Sequence, residues 1–216
     1  MWALLLLAGV WAGAQNALAG GGSFVTLPVL ILSGLDARAA NITSTIALLP
    51  GQVTTGYAGR SLVSGAEQLS FRALFIISLT GGVVGALLLL ATPPSFFARL
   101  LRWLVLAATA LFAWGSFLRG PTEQKVSFGP IAGATARFSI AIYGGYFGGG
   151  IGFLMLAALT IAGMSVRKAG ATKNVLAGVM NASAVAIFAF SGEVRWSAHC
   201  CLGPAPSPVG CWAHGP

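Results

Sequence analysis

Charged residues punctuate a chain that is otherwise apolar, leaving uncharged stretches at 1–35, 39–59, 73–98, 103–118, 138–166 and 174–192. A membrane crossing needs about 17 to 25 residues, so the second, third, fourth and sixth stretches each predict one crossing. The shortest, 103–118, is extended by snorkelling of Arg102 and Arg119 at its ends. As continuous helix at about 1.5 Å per residue, the other two would reach roughly 52 and 44 Å, well beyond a hydrocarbon core of about 30 Å. Each holds a glycine cluster, Gly20-Gly21-Gly22 in one and Gly148-Gly149-Gly150 with Gly152 in the other. Each therefore predicts a helix, a glycine break or re-entrant hairpin, and a half-helix, at about 24–34 and 153–163.

Composition narrows the class. Only 7% of residues are charged and 56% are apolar, with a mean hydropathy of +0.86, whereas a soluble domain carries about 25% charged residues. The expectation is an all-α, polytopic transmembrane protein whose solvent is the lipid bilayer. Twelve basic residues against four acidic ones come singly or in pairs, so no patch exists to hold nucleic acid, and they read as loop anchors under the positive-inside rule. All cysteines and histidines lie at 199–214 and Asp36, Glu67, Glu123 and Glu193 stand apart. That excludes Cys/His chemistry, paired-carboxylate chemistry and a metal centre from the apolar body; no enzyme activity and no cofactor are expected. The N-terminal run lacks a basic n-region and a similar segment recurs at 138–152, so it is expected to stay in the mature protein.

Shifting the chain by 129 positions aligns 20–45 with 149–174 and matches Gly20, Gly21, Phe24, Leu27, Leu30, Gly34, Arg38, Ala40 and Thr43 with identical residues. Apolar bias produces leucine matches but does not put Arg on Arg and Thr on Thr in one register. Two units follow, a first transmembrane repeat at 1–129 and an incomplete second at 130–197, with an atypical tail at 198–216. If the glycine segment is a hairpin the units are inverted; if it is one bent crossing they are parallel. Inversion gathers Arg60, Arg72, Arg119, Lys125, Arg167, Lys168 and Lys173 on one side against Arg38, Arg99, Arg102 and Arg195, which the positive-inside rule favours.

The half-helices begin with unpaired N–H groups, and an unsatisfied backbone group in hydrocarbon costs several kcal/mol. Such ends belong against protein, water or a ligand, and a helix N-terminus prefers an anion. Contiguous glycines suit a break better than helix contact, which calls for small residues three or four apart. The candidate binding residues are therefore Gly20, Gly21, Gly22, Ser23, Gly148, Gly149, Gly150 and Gly152. Thr45 and Gln52 align with Asn174 and Asn181, each pair two helical turns apart on one face. Thr43, Ser44 and Thr172 beside them read as candidates or as N-caps, and Lys173 as an added positive charge or as a snorkelling lysine. Gln15 and Asn16 are lesser candidates.

The run Gly20-Gly21-Gly22-Ser23-Phe24-Val25-Thr26-Leu27-Pro28 through Gly34 to Thr43-Ser44-Thr45, with its second copy from Gly148 to Asn174 and the Ser191-Gly192 turn, resembles the sulfite exporter TauE/SafE family over residues 1 to about 196. The resemblance implies a multi-pass inner-membrane transporter or exporter of small anions, sulfite and organosulfur compounds among them. Its expected partners are the anion and the lipid bilayer, and a homo-oligomer is compatible with it. Ala157 stands where the first unit has Pro28, and the proline-rich tail from His199 replaces the helix that repeat arithmetic demands. A truncated or frameshifted reading frame accounts for that tail, and a non-transporting scaffold or accessory subunit is the alternative function.

Overall fold

The computed structural model describes residues 2–18, 20–66, 69–113 and 129–192. These form α1 (Trp2–Leu18), α2 (Ser23–Leu32), α3 (Ala37–Ala58), a short 3-10 turn (Arg60–Leu62), α4 (Phe71–Ala91), α5 (Pro94–Ala113), α6 (Pro130–Tyr146), α7 (Ile151–Ile161) and α8 (Val166–Phe188). The expected all-α architecture is the one observed. Both glycine clusters interrupt helix, and α2 and α7 are the short half-helices that follow them, each beginning one or two residues earlier than the sequence pattern suggests.

The ends of α2 and α7 share a hydrogen-bond pattern. α2 ends where Gly34 N–H donates to Ile31 O at 3.0 Å and Leu35 N–H to Leu30 O at 3.2 Å; α7 ends where Gly163 N–H donates to Thr160 O at 2.9 Å and Met164 N–H to Leu159 O at 3.1 Å. This is one C-capping pattern used twice, satisfying carbonyls that the last helical turn leaves over. Asp36 then caps α3, accepting from Arg38 N–H at 3.0 Å and Ala39 N–H at 3.1 Å, and Ser165 holds the corresponding place before α8. Asn41, Thr43, Ser44 and Thr45, like Thr172, Lys173 and Asn174, consequently lie inside helices rather than at their caps.

Large apolar side chains lie on the outside as well as in the core, and several polar ones are buried with the core. Leu7, Val10, Trp11, Ile76, Leu87, Trp103 and Leu106 face outward and Leu18 is 84% exposed, while Asn16, Thr26, Asn41, Gln52, Arg137, Lys173 and Asn181 are buried. This arrangement is stable in lipid, where outward leucines lose nothing and inward polar groups find partners. Two helices, Phe71–Ala91 and Val166–Phe188, are long and apolar enough to cross a membrane by length and composition.

Small residues set the closest helix contact. Gly81 and Gly85 are four apart on α4, and α6 presents Ala141 and Gly145 at the same spacing. A methyl group on Gly85 would collide with the Ile142 carbonyl and come within 2.7 Å of Tyr146 N, and one on Gly145 would meet Gly82 Cα at 2.8 Å. This is the close backbone approach that small-xxx-small spacing permits in membranes, and the sequence reading overlooked it.

Charge-free runs misplaced three boundaries. The run at 73–98 is not one crossing: α4 ends at Ala91 and α5 starts at Pro94, so Arg99 and Arg102 lie within α5. Prolines at 93 and 94 deny the ladder its donors, and Arg38 satisfies the freed carbonyls, donating from Nη1 to Thr92 O at 2.8 Å and Leu90 O at 3.3 Å. α6 starts at Pro130 and includes Arg137, which is buried and donates to Gly133 O at 3.0 Å. Basic residues here are thus not all loop anchors. Arg119, Lys125 and Arg195, the acids Glu67, Glu123 and Glu193, and the tail at 198–216 lie outside the described residues.

Overpacking a tight contact costs about 1 to 3 kcal/mol, occasionally more. Gly85→Leu is expected to lower the melting temperature of the purified protein by that order, whereas Val84→Leu, on the exposed side of the same turn, is expected to leave it within about 0.5 kcal/mol of wild type. Thermal unfolding in detergent checks both.

Candidate functional site

The two breaks meet inside the protein. Gly20 to Gly22 and Gly148 to Gly150 are all buried, and a methyl group on Gly20 would overlap Gly152 Cα. The contacts are reciprocal: a methyl on Gly21 would meet the Phe153 ring at 3.2 Å, and one on Gly150, its counterpart 129 positions on, would meet the Phe24 ring at 3.2 Å. Gly22 packs on the Ala12 carbonyl, and Gly149 O accepts from Tyr143 Oη at 2.8 Å.

Behind this crossing, α3 and α8 pack together, and Asn181 Nδ2 donates to Gln52 Oε1 at 2.7 Å. Gln52 and Asn181 are 129 residues apart, the shift at which the sequence aligns with itself. Both are buried. Their pairing partly takes the glue role that polar residues have between membrane helices.

A small cavity opens at the crossing, lined by Asn16, Gly20 and Gln52 from the first half of the chain and by Ile151, Gly152, Lys173, Asn174 and Ala177 from the second. About 10 Å³ of it is open to the centre of a water molecule, room for about one water. Ile151 and Gly152 open α7, so their N–H groups belong to the turn that has no intrahelical acceptors. Lys173 is 2% exposed, and its ammonium has no hydrogen-bond or ion-pair partner among the described residues. It does not snorkel. Among those residues the one carboxylate side chain is that of Asp36, which caps α3.

The sequence alignment at a shift of 129 offers a comparison for Lys173. Ser44, the counterpart of Lys173, shares a hydrogen bond with the hydroxyl of Thr26, but the counterpart of Thr26 is Met155, a weak acceptor at best. At the aligned positions a closed hydroxyl pair faces a lysine with no partner among the described residues.

Of the residues proposed from sequence, Gly20, Gln52, Gly152, Lys173, Asn174 and Asn16 come together at the cavity. Gly21, Gly22, Gly149, Gly150 and Ser23 form the packed crossing beside it. Gly148 lies near Thr45 and Asn181. Thr43 is buried with an unpartnered Oγ1, and Thr172 Oγ1 accepts from Ser64 N–H at 3.2 Å, tying α8 to the loop after α3. Asn41, whose Nδ2 donates to Tyr146 O at 3.1 Å, satisfies the end of α6; no spacing in the sequence signals that bond.

Fold and site define a polytopic helical membrane protein with a polar cavity at paired helix breaks. The sulfite exporter TauE/SafE family model matches residues 5–213, past Trp196 and into the tail. The chain belongs to the TauE/SafE family. It is similar to a probable membrane transporter protein, ORF9, of Sinorhizobium sp., at 32% identity over 205 residues, 93% of this chain and 77% of that one. A probable membrane transporter protein of Haemophilus influenzae is 27% identical over 197 residues, 90% of this chain and 76% of its own. The probable membrane transporter protein YfcA of Escherichia coli K12 is 26% identical over 197 residues, 90% and 72% of the two chains. No solved structure matches.

The crossing predicts a contrast between glycines. Gly20→Ala puts a methyl into Gly152 at φ +85°, a left-handed conformation that costs about 1 to 2 kcal/mol by itself, and is expected to lower stability by more than that. Gly51→Ala, on α3 with open space around it, is expected to raise stability by up to about 1 kcal/mol. Chemical or thermal denaturation of the two variants measures the difference.

Proposed function

We propose that this chain is a secondary transporter that moves small anions across the inner membrane by alternating access about its two glycine-broken helices. The observation that carries the reading is Lys173, a residue 2% exposed with no hydrogen-bond or ion-pair partner among the described residues, in a cavity that also holds the N-terminal end of α7. A buried unpaired charge costs several kcal/mol, and an anion offsets that cost.

Every polar group at the cavity can serve an anion. The Lys173 ammonium supplies a full charge, the α7 N-terminus about half of one, and the amides of Asn16, Gln52 and Asn174 supply donors. Duplicated transporter folds place their site between repeats at discontinuous helices, whose N-termini address anionic groups. Here the crossing of Gly20 on Gly152 is such a place, and a rocking of one unit on the other changes the side from which the cavity opens. The names of the relatives support membrane transport, and the name of the family makes sulfite, with organosulfur anions beside it, the first cargo to test.

Purified protein in liposomes is expected to carry sulfite, and Lys173→Gln to reduce that flux by about tenfold or more, a loss of at least 1.4 kcal/mol of binding free energy. Lys173→Arg keeps the charge and is expected to retain more flux than Lys173→Gln. Equal flux in wild type and Lys173→Gln, with the fold retained, defeats the reading.

A further inference from the structure

The cavity at the crossing carries one charge and nothing on the protein to match it. Of the residues that line it, Lys173 alone is ionisable. The elements packed on α8 are α3, α4, α6, α7 and the 3-10 turn after α3. None of them contains an acidic residue, and neither does α8 itself. Asp36, the one carboxylate among the described residues, is taken by the N–H groups of Arg38 and Ala39. The lining amide best placed to accept is also engaged, since Gln52 Oε1 already receives Asn181 Nδ2 at 2.7 Å.

Water does not make up the difference. Lys173 is 2% exposed, and about 10 Å³ of the cavity is open to the centre of a water molecule, which holds about one water and not the shell that an ammonium has in solution. A charge closed off without a partner is costly, and a counter-charge of good fit removes most of that cost. The cost therefore falls unequally on the transport cycle. With an anion against Lys173 the closed cavity is compensated; empty, it is not. Any passage from one opening to the other goes through a closed form, so the penalty is added to the return of the empty protein and spared in the crossing of the loaded one.

We propose that this chain is an anion exchanger, in which the loaded cavity changes sides and the empty cavity does not, so that each anion carried one way is matched by a small anion carried back. The exchange rests on the transport reading above and adds to it a second substrate, a small anion taken up at Lys173 from the opposite side. Lys173 is then more than a binding group: its charge forbids the empty return.

The test is counterflow. The full chain is reconstituted in liposomes with potassium on both sides and valinomycin to clamp the potential, so that charge build-up does not itself slow net uptake. Uptake of radiolabelled sulfite is compared between vesicles filled with unlabelled sulfite and vesicles filled with gluconate, a far bulkier anion. Wild type is expected to take up label about tenfold faster or more into the sulfite-filled vesicles, a difference of about 1.4 kcal/mol in barrier. Lys173→Arg is expected to keep that ratio. Lys173→Gln is expected to bring it close to one on the flux that remains, whereas a variant that is merely damaged loses both rates together and keeps the ratio. Equal wild-type uptake into the two kinds of vesicle overturns exchange and leaves anion transport standing. Uptake into neither defeats transport and exchange together, and an unchanged ratio in Lys173→Gln overturns the part assigned to the Lys173 charge.

Discussion

A backbone group that leaves a helix within hydrocarbon has no water to turn to, and each such group costs several kcal/mol. Two breaks in one bundle double that demand. The chain meets it by setting the breaks against each other, with Gly20 on Gly152 and the reciprocal contacts of Gly21 with Phe153 and Gly150 with Phe24. The polar groups that must accompany the breaks are thereby gathered on the protein's inside: Asn41 reaches the end of α6, Tyr143 reaches Gly149 O, and Gln52 and Asn181 bond across the crossing. Outward positions are free to be leucine and tryptophan because the inward ones carry this work.

Equivalence between units at a spacing of 129 makes their differences informative. In one unit Thr26 and Ser44 close a hydroxyl pair; in the other Met155 and Lys173 stand at the same places. Replacing two neutral partners by a cation and a thioether leaves the cation uncompensated, so a symmetric frame yields a site with one electropositive side.

What the sequence revealed follows from which physical terms are local. Three consecutive glycines disfavour helix wherever they occur, so both breaks and both half-helices were legible. Charge was a poorer guide, because it was taken to mark loops. Arg38 instead serves the carbonyls of Leu90 and Thr92, and Arg137 is buried within α6; the true stop, Thr92-Pro93-Pro94, lies inside an uncharged run. The spacing of Gly81 and Gly85 was readable and was missed. The burial of Lys173 was not readable, since a lysine that snorkels and one that faces a cavity have the same sequence and differ only in what packs around them.

The placement of Gln52 and Asn181 bears on how such a frame can switch. The Gln52–Asn181 hydrogen bond ties α3 directly to α8, which makes it a natural pivot in the alternating-access motion proposed above. Polar groups far from that pivot would lose their partners during such a motion, and an orphaned buried donor or acceptor costs about 1 to 3 kcal/mol. Paired amides there can turn while remaining bonded, whereas the aromatic contacts of Phe24 and Phe153 with glycine are non-directional and tolerate sliding. In that proposed motion, a directional bond between α3 and α8 and smooth glycine–aromatic contacts beside it would let the crossing serve as a hinge.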